Sequence, residues 1–121
     1  MENLLELIFS LEGLFDEKVS SDFIRYCCIV LTSGDKKEAN KNRDILNRVY
    51  RIRNDIVHGK KIYNGFEEIK INGKKTLSQT LFFYLKPIVA KMILFAIEKI
   101  NKNSKLKNLT INSDDMIEKI F

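Results

Sequence analysis

Proline and glycine are scarce in this chain, one and five among 121 residues, which removes most of the turn chemistry a loop-rich or all-β fold depends on. Helices are the expected alternative. Cysteine is as scarce: Cys27 and Cys28 are adjacent in an apolar run, where a bridge between neighbours would be strained, so they read as small hydrophobes in a reducing compartment. No stretch approaches the roughly 18 uninterrupted apolar residues of a membrane span. Nor does Met1-Glu2-Asn3 put a basic region ahead of the first apolar run, so the sequence predicts a cytoplasmic protein with no export signal. His58 is the only histidine, and no cluster has metal-ligand spacing, so neither a metal nor a cofactor is expected.

What is present is an ordinary balance of 45% hydrophobic and 31% charged residues, enough to close one core but too little chain for two, so residues 1–121 read as a single domain. The net charge of +5 and pI near 9.2 favour acidic partners, RNA or an anionic surface among them, without fixing a fold.

Leu4, Leu5, Leu7, Ile8, Leu11, Leu14 and Phe15 recur at three- and four-residue steps and predict a first helix from about Glu2 to Asp16. Ser20 or Ser21 can cap a second helix through Phe23, Ile24, Tyr26, Cys27, Val30 and Leu31, with Gly34 as a left-handed stop. A polar approach from Asp35 to Asn42 leads into a third helix striped by Ile45, Val49, Ile52 and Ile56, with Leu46, Tyr50 and Val57 beside them. Gly59 would cap it just past His58. The segment from Lys60 to Lys75 loses periodicity; its Asn64-Gly65 and Asn72-Gly73 pairs favour tight turns, and Ile69 and Ile71 allow a short irregular hairpin. A fourth helix is expected from about Thr76 or Leu77 to Asn101, kinked or split by Pro87. Beyond it, a polar linker and a terminal helix capped near Ser113 would carry Met116, Ile117, Ile120 and Phe121.

Two charges fall inside apolar stripes. At about 100° per residue, Arg53 sits in the arc of Ile45, Leu46, Val49, Ile56 and Val57, and Glu12 in that of Leu4, Leu5, Ile8, Leu11 and Phe15. Unpaired burial of either would cost several kcal/mol, so a structural ion pair between Glu12 and Arg53 is predicted across helices one and three. Arg51, Asn54 and His58 lie on the other side of the third helix. That face is either a solvated helix end or a site.

Arg53-Asn54-Asp55-Ile56-Val57-His58 resembles the Arg-x(4 to 6)-His motif of the HEPN superfamily (higher eukaryotes and prokaryotes nucleotide-binding). Tyr50 to Gly59 looks especially like its Apea-like branch, and Phe9-Ser10-Leu11-Glu12-Gly13-Leu14-Phe15 is similar to that branch's first-helix pattern with an internal glutamate. The two motifs occur in the right order, over about Glu2 to Lys102.

The resemblance implies an all-α, HEPN-like bundle of four to five helices with an irregular insertion before the long fourth helix. It also implies a homodimer with two motifs facing each other. Active members are metal-independent endoribonucleases, so His58 would be general base or acid, Arg53 would stabilise the phosphorane and Asn54 would orient phosphate or imidazole. Arg51, Lys60 and Lys61 would hold the RNA backbone, and Arg51 is an alternative to Arg53 by geometry. Toxins of the family paired with a nucleotidyltransferase antitoxin carry a tyrosine where this chain has Lys60, a departure that argues against regulation by tyrosine nucleotidylation. Three functions follow as expectations. One is a ribonuclease acting as toxin or antiviral effector, with an antitoxin or defence-complex protein as further partner. A second is a non-catalytic module that dimerises and binds RNA or a nucleotide. The third is a regulatory piece of a larger defence protein.

Overall fold

In the computed structural model the described residues are 2–16, 18–60 and 63–102; the expected terminal helix with Met116 to Phe121 lies outside them, as does Lys61. Four α-helices and one two-stranded sheet make up the fold: α1 (Glu2–Glu12), α2 (Ser21–Thr32), α3 (Lys36–Val57), β1 (Glu68–Ile71), β2 (Lys74–Leu77) and α4 (Leu81–Lys102), with a 3-10 turn at Ser78–Thr80. The protein is mostly helical, not helical throughout.

Helix boundaries follow local chemistry. Ser20 caps α2 by accepting from the Phe23 amide, as the sequence predicts. Asp35 caps α3 by accepting from the Glu38 amide at 2.7 Å, so the expected polar approach is instead the helix's first two turns. Gly34 is not a left-handed stop. α2 ends at Ser33 in an extended conformation, and the short link is held by Asn42 Nδ2, which donates to Ser33 Oγ at 3.0 Å. α1 ends at Glu12 rather than Asp16 because its last turn tightens, Leu14 N donating to Leu11 O and Phe15 N to Glu12 O. Leu14 and Phe15 are nevertheless buried.

The region before α4 is a regular hairpin rather than an irregular one. β1 and β2 pair antiparallel from Glu68 with Leu77 to Ile71 with Lys74, leaving Asn72 and Gly73 as a two-residue turn with φ of 52° and 77°. Both positions need positive φ, which an Asn-Gly pair supplies. Because Lys74 to Leu77 are taken by β2, α4 begins four or five residues later than periodicity alone suggests. Pro87 lies within α4 without splitting it. It and Phe83, whose carbonyl it cannot pair with, are both exposed, so that carbonyl lies on the solvent side.

One core joins the elements. Ile8 and Leu11 of α1, Cys27 and Cys28 of α2, Leu46 and Val49 of α3, and Leu81, Leu85 and Met92 of α4 are fully buried, and Ile71 anchors the hairpin. Side chains expected in the stripes but exposed include Tyr26, Val30 and Val57. Ser78–Glu98 is long and apolar enough, by length and composition, to cross a membrane, although Lys86 and Lys91 interrupt it. Its inner face packs against the other three helices.

Candidate functional site

α3 ends in a Schellman motif. The Gly59 amide donates to Ile56 O at 3.1 Å, the Lys60 amide to Asp55 O at 2.8 Å, and Gly59 adopts φ of +66°. His58 is the C-cap, its amide bonded to Asn54 O, its side chain exposed in the field of the helix's negative end. The chain then folds back on the last turn: Tyr63 Oη donates to Asp55 Oδ2 at 2.8 Å, and burial followed by that bond raises the Tyr63 pKa.

Arg53 is fixed from three sides. Its Nε donates to Glu12 Oε1 at 3.2 Å and its Nη2 to Glu12 Oε2 at 3.4 Å, joining α3 to α1. Nη1 donates to Asn54 Oδ1 at 3.1 Å, and the guanidinium lies over the Phe9 ring, 5.9 Å from its centroid. Both partners of the ion pair keep a quarter of their side-chain surface exposed. Asn54, expected on the His58 side only, therefore also serves Arg53. Five residues and about 140° of helix separate Arg53 from His58.

The opposite stripe of α3 carries Asp44, Asn47, Arg48, Arg51, Asn54, Asp55 and His58 within an arc of about 120°. The hairpin stands beside it, and Asp44 Oδ2 accepts from the Asn72 amide at 3.2 Å. Between them lie two cavities. One of about 430 Å³ is lined by Asp44, Asn47, Arg48, Arg51, Lys70 and the Asn72-Gly73 turn. The other, of about 260 Å³, includes Arg48, Arg51, Asp55, Tyr63, Glu67 and Glu68.

Glu67 organises the loop there: its carboxylate accepts from the Asn64 and Gly65 amides and from Ser78 Oγ at 3.0 Å. Hydrogen bonds from the backbone amides, that of Asn64 foremost, hold its pKa below the ordinary carboxylate range.

The structure thus brings Glu12, Arg53 and Asn54 together and sets Arg51 and His58 along a second face; Lys60 is exposed just past the cap. Sequence reasoning missed Arg48, Lys70 and Glu67. The first was legible as part of the Asp44, Arg48, Arg51, Asp55 spacing, but its neighbours come from the hairpin. Among the described residues no three His, Cys, Asp or Glu side chains are grouped so as to hold a metal ion. No family model, curated protein or solved structure matches the chain.

Proposed function

We propose that this chain is a HEPN-like helical domain, with the β1–β2 hairpin as its insertion, that cleaves RNA as a homodimer. The observation that carries the reading is the end of α3: an exposed imidazole at the C-cap, with Asn54 one turn before it and Arg53 hydrogen-bonded to Glu12 and Asn54. Imidazole changes protonation near neutral pH and can move protons in both directions. In the proposed reaction His58 takes the 2′-hydroxyl proton, the 2′-oxygen bonds to phosphorus, and the bond to the 5′-oxygen breaks. A protonated imidazole from the second copy returns a proton to the leaving oxygen. The products are a 2′,3′-cyclic phosphate and a 5′-hydroxyl, and guanidinium groups offset the phosphorane charge.

A dimer at this end is supported by Phe9 and Val57, each about half exposed, which flank the Glu12–Arg53 pair on α1 and α3. Two copies would cover these apolar side chains and bring the two α3 ends together. The proposed role is a toxin or antiviral effector.

The test is incubation of the protein with mixed RNA in EDTA. Cleavage giving 2′,3′-cyclic phosphate ends, abolished by His58→Ala with the fold intact, supports the reading; no cleavage by the wild type overturns it. A second reading, a non-catalytic RNA-binding dimer, is favoured by one observation: three partners within the chain already engage Arg53, which restricts its approach to a phosphate. RNA binding without turnover would decide for that reading.

A further inference from the structure

We propose that the groove between α3 and the β1–β2 hairpin holds the phosphate backbone of the RNA strand, with Arg48, Arg51 and Lys70 as its cations. Its ligand rests on the RNA reading above, but not on turnover. Arg48 and Arg51 project from one face of α3 and Lys70 from β1, and all three line one cavity of about 430 Å³ whose single carboxylate is Asp44.

The surrounding carboxylates are already engaged. Asp44 accepts from the Asn72 amide, Asp55 from Tyr63 Oη, Glu67 from two amides and Ser78, and Glu68 pairs with Lys75 at 3.8 Å. Among the described residues, no carboxylate oxygen lies within 4 Å of a side-chain nitrogen of Arg48, Arg51 or Lys70. Among the described residues these three cations, gathered on two elements, have no carboxylate at ion-pair distance, so their donors are open to an anion from outside, although Asp44, Asp55, Glu67 and Glu68 keep their charge nearby. Two guanidinium forks suit phosphate oxygens. Asn47, whose Oδ1 accepts from Arg25 Nη1 at 3.0 Å, lines the same cavity and extends its polar wall.

Position gives the groove a direction. Arg48, Arg51 and His58 share one stripe of α3, with Arg51 about 10 Å and Arg48 about 15 Å from His58 along the axis. A strand laid along the helix would have its scissile bond at the C-cap and neighbouring phosphates in the groove. The hairpin, docked through Ile71 and the Asp44 to Asn72 bond, forms the second wall.

The experiment measures binding of a short fluorescent single-stranded oligoribonucleotide by anisotropy across a salt series, in a His58→Ala background. Arg48→Ala, Arg51→Ala and Lys70→Ala combined should weaken binding by about 30-fold and lower the salt slope by about 2, each phosphate no longer neutralised accounting for about 0.7. Lys18→Ala, Lys36→Ala and Lys86→Ala combined remove the same charge from exposed positions elsewhere and should change binding less than about threefold. Circular dichroism confirms that both variants fold. Equal losses in the two variants, or no loss in the first, overturn the proposal, as does absence of RNA binding by the parent at low salt. Displacement of RNA by inorganic phosphate beyond that by ionic-strength-matched chloride would make this a free-phosphate site and overturn the backbone assignment. Cleavage is measured separately on protein with His58 intact: groove-dependent binding without cleavage removes the nuclease reading and leaves the groove standing.

Discussion

Arg53 grips Glu12 with two nitrogens, Nε at 3.2 Å and Nη2 at 3.4 Å, so the motif arginine is also the tie between α3 and α1. A partly exposed pair of this kind contributes modestly, because water competes for both charges. Glu12→Ala and Arg53→Ala in a double-mutant cycle should show a coupling of about 1 kcal/mol by denaturant titration. Arg51→Ala, by contrast, should leave stability within about 0.5 kcal/mol, since Arg51 is exposed. If Arg51→Ala destabilises as much as Arg53→Ala, the division of labour between the two arginines is wrong.

Gly59 should resist substitution for conformational reasons alone. A Cβ there meets nothing within 4 Å, yet φ is +66°. Gly59→Ala should therefore cost about 1 kcal/mol and Gly59→Asn less, because asparagine tolerates the left-handed region better. Equal costs in urea unfolding would argue that a steric clash, not backbone strain, holds the cap.

Acid should loosen the loop before the hairpin. The Glu67 carboxyl lies below its ordinary value of 4.5, with the Asn64 amide as the leading cause. A depressed carboxyl stabilises the folded state above its unfolded pKa, and the effect is lost as pH falls through the folded value. Amide exchange at Asn64 and Gly65, followed by NMR from pH 6 downward, should lose protection below about pH 4.5. In Glu67→Gln that step should vanish; its persistence would assign the change to another group.

Tyr50 offers a stabilising change. Its hydroxyl is buried without a hydrogen-bond partner among the described residues, and burial, then the charge of Glu12, pushes its pKa up. Tyr50→Phe removes the unpaired group while keeping the ring, so stability should stay level or rise by about 1 kcal/mol. A loss of more than about 1 kcal/mol would reveal a partner for the hydroxyl.

Much of the helical framework was legible because its causes are local. The period of Ile45, Val49 and Ile52 fixes a buried face, Ser20 fixes a start, and Gly59 fixes a stop. The contact of Glu12 with Arg53 could also be read, since two helix phases place opposite charges in facing stripes. Where several local signals compete, sequence was a poorer guide. Gly34 looked like a stop, but Asn42 and Asp35 close that link in an extended form. The groove was illegible for a different reason: Lys70 meets Arg48 only after the hairpin docks, through Ile71 and a hydrogen bond from the Asn72 amide to Asp44 that no spacing announces.

The paired thiols of α2 fill space in the core, but their burial also makes them a clock. Cys27 is pushed up to about 12 and Cys28 is raised as well, burial being the main cause, so neither is a thiolate in the folded chain at neutral pH. Only the thiolate reacts with an alkylating reagent. Two adjacent cysteines at the centre of the bundle therefore stay silent until α2 leaves the other helices, and their rate of modification counts how often the core opens.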